Sequence, residues 1–443
     1  MKKEGQFFYG WVIVASGIFV FALGYGARYS FSLIYPNLLE QFHWSRDATA
    51  AMLSFHILAY GIAAPIAGAL VDRIGPKKTM GLGVILLAIG TTAAGFSNEL
   101  WHFYLSFGLV MGTGLSLAGS VPFTRIVSNW FVAKRGLALS FMFVGTGGGF
   151  ILFPLIAILI EKVGWRGALW VEAAIVAGLL LPCVAFLLRY HPREMGLLPD
   201  GVRESGANIK ANQKYAEGIV DTAWAAIDWT LLKAMKTPRF WLLCFTAFAV
   251  WGISEHIQFA HHVAFAEDVG YSKLHASSAL ALFGVFFIIG TLSGFISDRI
   301  GREVTFTIGT ITSIAGIVML MLIEDTSQPW MLYTYSILFG LGLGISTPTI
   351  AAACTDIFQG KTAGAIIGFV WFAFAIGGTI GPWLGGFIFE VSGSYLNAFI
   401  ISATMFALAC ISFWLAAPRM VRLVEGRGKS RQQGSQTLSS DHM

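Results

Sequence analysis

The stretch GALVDRIGPKK, Gly68 to Lys78, returns as GFISDRIGRE, Gly294 to Glu303. Asp72 and Asp298 of the two copies stand 226 residues apart. Working outward from them, the Trp44-Ser45-Arg46 turn recurs as Tyr271-Ser272-Lys273 at an offset of 227. Gly112 and Gly114 recur as Gly340 and Gly342, and Pro154 as Pro382, at 228. A nearly fixed offset of about half the 443-residue chain is an internal duplication, so one architectural unit is built twice.

The solvent for that unit is lipid. A chain that is 56% hydrophobic and 12% charged, with a mean hydropathy of +0.70, carries more apolar surface than one water-soluble core hides. Apolar runs of about 20 residues, enough to cross roughly 30 Å of hydrocarbon, recur from end to end. Twelve are expected, at 10–37, 48–70, 79–97, 101–124, 136–160, 168–188, 239–265, 275–297, 304–323, 328–350, 362–389 and 395–417. The fold class is therefore an all-α membrane protein of two six-helix halves. Residues 1–188 form the first half, 189–238 a polar linker, 239–417 the second half and 418–443 a tail expected to be disordered. Within the linker, Asp228 to Trp241 reads as an interfacial helix with Trp229, Leu232 and Met235 on one face. Parallel six-helix repeats related by an axis along the membrane normal place a binding site at the midplane between them, which is the geometry of a transporter.

Charge fixes the orientation expected in the membrane. Only Arg46, Lys162, Arg166 and Lys273 fall in the loops on one side and Arg28 inside a helix, leaving the rest of the 29 Lys and Arg on the side of the termini. By the positive-inside rule both termini are cytoplasmic, in a cell membrane of the bacterial plasma or inner-membrane kind. The net charge of +5 is accounted for by topology and anionic lipid, with no nucleic-acid partner. Cys183, Cys244, Cys354 and Cys410 sit singly in apolar helices without pairing or metal-ligand spacing and read as packing residues. No metal constellation, nucleophile and base pair or nucleotide-binding loop is found, so neither an enzyme nor a cofactor is expected, and transport would be driven by a gradient.

The doubled GxLxDRxGxxK loop resembles the signature of the major facilitator superfamily between helices two and three. The resemblance covers the architecture of the whole chain. It implies a gating role for Asp72, Arg73, Asp298 and Arg299, the alternative being a loop that only orients the helices. Within that superfamily, YGW at Tyr9 to Trp11, NWFVAKRGLALS at Asn129 to Ser140 and GWR at Gly164 to Arg166 resemble bacterial members of the monocarboxylate and oxalate:formate porter group. Gly145, Gly147, Gly148 and Gly149 read as a close-packing face rather than a phosphate cradle, since no strand precedes them. That group typically holds its carboxylate with an arginine in helix eight, and some members add a lysine in helix eleven. The spans 275–297 and 362–389 contain neither.

Charges inside the hydrocarbon, each costing at least roughly 2.5 kcal/mol on insertion scales, mark the candidate site. Arg28 shares a helix-one face with Tyr25, Tyr29 and Ser32, a fork and hydroxyls suited to a carboxylate. The alternative is that Arg28 snorkels to the outer headgroups. In helix seven Glu255, Gln258 and His262 share a face by their spacing, with His256 and His261 expected to point elsewhere. The offset of 227 maps Arg28 onto Glu255, which predicts opposite charges facing one central cavity. Either Glu255 or His262 could carry a coupled proton, or Glu255 could serve only to neutralise Arg28. His56 and Tyr60 on helix two are candidates to extend the wall. Phe283, Phe286, Phe287, Trp371 and Phe372 are candidates for an apolar lining, the alternative in both cases being ordinary packing. The function expected is secondary transport of a small organic anion, a monocarboxylate with proton symport, by a monomeric unit. Export of drugs or amphiphiles by proton antiport is the rival reading, and a transporter-like solute sensor stands further off.

Overall fold

The computed structural model describes residues 8–131, 134–200, 220–358 and 363–422. Among them there are helices, turns and no β-strand. The membrane crossings are labelled here α1 (Gly10–Phe42), α2 (Arg46–Ile74), α3 (Pro76–Gly95), α4 (Leu100–Trp130), α7 (Pro238–Val269), α8 (Lys273–Leu292), α9 (Arg302–Met321), α10 (Pro329–Ile357), α11 (Ala363–Ser392) and α12 (Leu396–Ala416). The remaining apolar stretch, Leu137–Leu187, has 51 residues, which at 1.5 Å per residue is roughly 75 Å and far too long for one crossing. It folds back at Gly164, whose φ of 73° only glycine adopts without strain, giving α5 before that residue and α6 after it. The twelve expected crossings are thus present, and an even number puts both ends on one side, here the terminal side, opposite the far side.

The duplicated loop is built as its sequence dictates. Gly75 (φ 82°) and Gly301 (φ 104°) take the same left-handed-region conformation between α2 and α3 and after α8, where a Cβ would force strain. Pro76 then starts α3 with the fixed φ a first helical turn requires.

The halves meet along a seam whose contacts fall at equivalent positions of the repeat, the glycine changing partner between them. Where α2 meets α11, a Cβ on Gly61 would sit 2.6 Å from Ala375 Cβ and one on Gly378 2.9 Å from Ile57 Cγ2. Where α5 meets α8, the equivalent contacts are Gly147 to Ile288 at 2.8 Å and Gly284 to Phe150 at 2.8 Å. Gly145 and Gly149, on the other side of α5, abut the Ile18 and Ala22 carbonyls of α1, so the glycine cluster packs two faces at once. Towards the far side the α2–α11 contact continues to Asp47 against Gly386. Towards the terminal side, Gly364 and Gly368 have nothing within 4 Å of a Cβ. The halves are closed on the far side and part towards the termini.

The linker differs from its sequence reading. Within Asp228 to Trp241 the helix ahead of α7 is Leu231–Met235, started by Thr230, whose hydroxyl accepts from the Lys233 N–H. Trp229 precedes it and is buried against Phe358 (ring centroids 5.0 Å), whereas Leu232 is 74% exposed, so the two do not share a face. The described parts of the linker are fastened: Asp200 accepts from the Lys134 N–H and donates its own N–H to the Trp130 carbonyl. Val220 and Asp221 donate to the Val421 carbonyl and the Trp224 indole donates to the Ile357 carbonyl. The tail assigned to disorder lies, from residue 423, outside the described residues.

A Cβ on Gly284 would run into the Gly147 carbonyl oxygen. Gly284→Val is therefore expected to cost about 1–3 kcal/mol and lower the unfolding temperature in detergent. Gly178→Ala, with open space around it, should leave that temperature unchanged.

Candidate functional site

Arg28 lies near the middle of α1, where the helix is interrupted at Ser30, and only 1% of it is exposed. It does not snorkel: its side chain is turned into the seam. Its Nη2 donates to His256 Nε2 of α7 at 3.0 Å. That ring is held by its other nitrogen, Nδ1–H donating to the Trp251 carbonyl at 2.7 Å, so Nε2 presents a lone pair and His256 is the neutral tautomer. Beside it the Tyr29 hydroxyl donates to Glu255 Oε1 at 3.2 Å. Tyr29 and Tyr60 place their rings 5.1 Å and 5.5 Å from the guanidinium carbon. Arg28 Nε is buried with no hydrogen-bond partner, and among the described residues no carboxylate lies within 4.0 Å of the guanidinium.

This is a correction to the helical-wheel reading in two respects. The group bonded to Arg28 is His256, which spacing had turned away, and Glu255 is reached through Tyr29. Gln258 and His262 turn into the second half instead: Gln258 accepts from the Tyr335 hydroxyl at 3.1 Å and donates to Ser402 at 3.3 Å, and His262 stacks on Tyr335 with centroids 5.2 Å apart. The physical reason is that α7 is covered nearly all round, so no polar face contrasts with a lipid face.

On the first half the hydroxyls of Tyr25 and Tyr60 lie 3.0 Å apart, and that of Tyr60 is 2.9 Å from Ser120, just past the break of α4 at Gly119. His56 is fully buried, its Nδ1–H donating to the Phe107 carbonyl at 2.9 Å while Nε2 has no partner. Glu172 of α6 was missed, although an acidic residue inside an apolar span was the signal available. Its Oε2 lies 3.1 Å from the Ser30 hydroxyl and its Oε1 is buried without a partner.

A latch closes the far side. Arg46 at the start of α2 forks onto Asp268 at the end of α7, with 2.6 and 2.8 Å bonds, and lies 3.9 Å from the Phe389 ring centroid. Its Nη1 also donates to the Tyr395 phenol, which burial pushes up to about 12 against the pull of Arg46, so the hydroxyl stays neutral. Lys273, the repeat of Arg46, reaches back to Asn37 of α1 at 2.5 Å. On the terminal side the corresponding pairs stay within a half. Asp72 joins exposed to Arg125, and Asp298 to Arg302, which with Arg422 also holds the buried Asp356. Arg73 and Arg299 are at the surface beside them. A groove of about 440 Å³ between α1 and α6, lined by Val12, Phe19, Leu179 and Phe186, opens on the bilayer surface of the first half, away from these groups.

The family model of the Major Facilitator Superfamily matches residues 15–378 and 259–439. Monocarboxylate transporter 13 of Bos taurus is 26% identical over 397 residues, covering 89% of this chain and 86% of that protein. The uncharacterized MFS-type transporter YcxA of Bacillus subtilis is 24% identical over 402 residues, covering 89% and 92%. Among solved structures, a bacterial homolog of the human lysosomal transporter Spinster, in an inward-facing and occupied conformation, aligns with a TM-score of 0.67 at 16% identity. That alignment covers 93% of this chain and 98% of the other.

Cutting the latch should loosen the far side. In a chain freed of its native cysteines, a cysteine replacing Ala264, which is 2% exposed near the end of α7, is expected to react faster with a membrane-impermeant maleimide when Arg46→Gln is added. An unchanged rate would mean that the glycine seam alone holds the closure.

Proposed function

The chain belongs to the major facilitator superfamily, a multi-pass membrane transporter and not an enzyme, and from that premise we propose that it carries a small monocarboxylate together with a proton by alternating access. One observation carries the reading. A guanidinium 1% exposed, bonded to a neutral imidazole and with Nε unsatisfied, is a buried cation still lacking a counter-anion in contact. Such a group is costly until an anion with two oxygens meets its fork. A carboxylate supplies that charge and geometry, and relatives named monocarboxylate transporters support the choice.

In this mechanism the carboxylate binds Arg28, framed by the hydroxyls of Tyr25, Tyr29 and Tyr60, and His56 offers its unpaired Nε2 to a substrate hydroxyl. The proton sits on Glu255, which Tyr29 links to the arginine. Substrate and proton together leave the seam neutral, so the loaded halves can rock about it, whereas Arg28 with substrate alone leaves Glu255 as an uncompensated charge. Gln258 and His262 hold α7 to its own half. Asp72, Arg73, Asp298 and Arg299 hold the terminal ends of the helices in their two arrangements. With the termini in the cytoplasm, the arrangement described here is closed outside and parted inside. One chain contains every group the cycle uses, so the monomer is the working unit.

Uptake of labelled lactate and related acids into proteoliposomes under an inward-acid gradient tests this. Arg28→Gln is expected to reduce uptake at least about 30-fold. Glu255→Gln should abolish gradient-driven accumulation while leaving carboxylate exchange running. Accumulation of lipophilic cations with no carboxylate moving would sink the proposal in favour of export of amphiphiles.

A further inference from the structure

The aromatic side chains around Arg28 form a closed circuit of contacts, and its far arc is a slab. Beyond His256, the Phe374 ring lies 5.6 Å from the imidazole and 5.7 Å from Trp371. Trp371 is parallel to Trp251, with centroids 4.7 Å apart and planes 8° apart. Its other parallel neighbour is Phe143 of the first half, at a looser 6.5 Å and 10°. Phe143 leads back through Phe21 at 5.4 Å to Tyr25 at 5.1 Å, whose hydroxyl meets Tyr60 over the guanidinium. The circuit takes members from both halves and returns to the cation it started from.

Trp251 is 4% exposed and its indole donates to the Thr347 hydroxyl at 3.2 Å, so the slab has a fixed back. Trp371 and Phe143, on the terminal side of Arg28, are only half-buried. A rigid indole face, braced from behind by Trp251 and covered in front only by the looser Phe143, on the side where the halves part, gives a flat ring that displaces Phe143 an offset-stacked partner. A saturated skeleton of equal area gains burial but not the quadrupole match, a difference worth up to about tenfold in affinity.

Resting on the reading of Arg28 as the carboxylate anchor, we propose that the substrate is an aryl carboxylate, a planar aromatic ring on a short acid arm, with the ring held against Trp371. Trp371 is then the specificity-determining residue and Arg28 the anchor.

The test is competition in proteoliposomes against uptake of labelled lactate by matched pairs, phenylacetate against cyclohexylacetate, with unlabelled lactate as the reference competitor, in the parent, in Trp371→Leu and in Trp371→Phe. Phenylacetate should compete about tenfold better than cyclohexylacetate in the parent. That gap should close in Trp371→Leu and survive in Trp371→Phe, while competition by lactate changes little in either. Equal competition by the two acids in the parent, or a Trp371→Leu loss shared equally by phenylacetate, cyclohexylacetate and lactate, would overturn the ring proposal. Lactate carried through Arg28 without ring preference defeats this inference alone. Failure of every carboxylate to compete, with Arg28→Gln altering nothing, defeats the anchor on which it rests.

Discussion

A positive charge enclosed where two apolar bodies meet has to be answered by something, and the placement of Arg28 makes that requirement the organising constraint of this molecule. The guanidinium is shut away from water by α1, α2 and α7, yet its protein partner is an imidazole lone pair. Burial of an ion in such surroundings is tolerated only where hydrogen bonds and opposite charge repay the lost hydration. The tyrosines supply ring faces and hydroxyls, Glu255 stands one residue removed, and the remaining demand is left for a ligand. The same demand explains why the polar groups of this part of the chain gather at one level of the seam rather than being spread along the helices.

The pairing at the seam follows from symmetry. Arg28 and Glu255 are repeat equivalents, and so are Tyr29 and His256. The contacts cross over, Arg28 to His256 and Tyr29 to Glu255, which is what a two-fold axis passing between the residues demands. A residue faces its own equivalent only on the axis; off it, each meets the equivalent of a neighbour. Mapping Arg28 onto Glu255 by the offset therefore found the right turn of α7 and the wrong neighbour.

Most of the architecture was legible because its signals are local. The DRxG turns carry their glycines, the spans carry their length, and the glycine cluster of α5 marks a face that packs closely. The candidate site was legible in composition but not in direction. Helix α7 gives no lipid-facing side to set its phase, so Gln258 and His262 could not be told from Glu255 by spacing, and His256 could not be told from a packing residue. Glu172 went unremarked because its partner, Ser30, belongs to a helix 142 positions away. Trp229 was misplaced for another reason: Thr230 caps the linker helix after it, so no helical period extends back to that residue.

The two described parts of the linker are each sewn to the body they adjoin, Asp200 to the last turn of α4 and the approach to α5, Val220 to Val421 in the short turn after α12. Among the described residues, each of these bonds stays with the half that the linker adjoins there. By the duplication, the linker is the join between two like units. It is equally where a break in the polypeptide would leave two pieces, each with its own six helices, half of the charged centre, and a surface shaped to find the other.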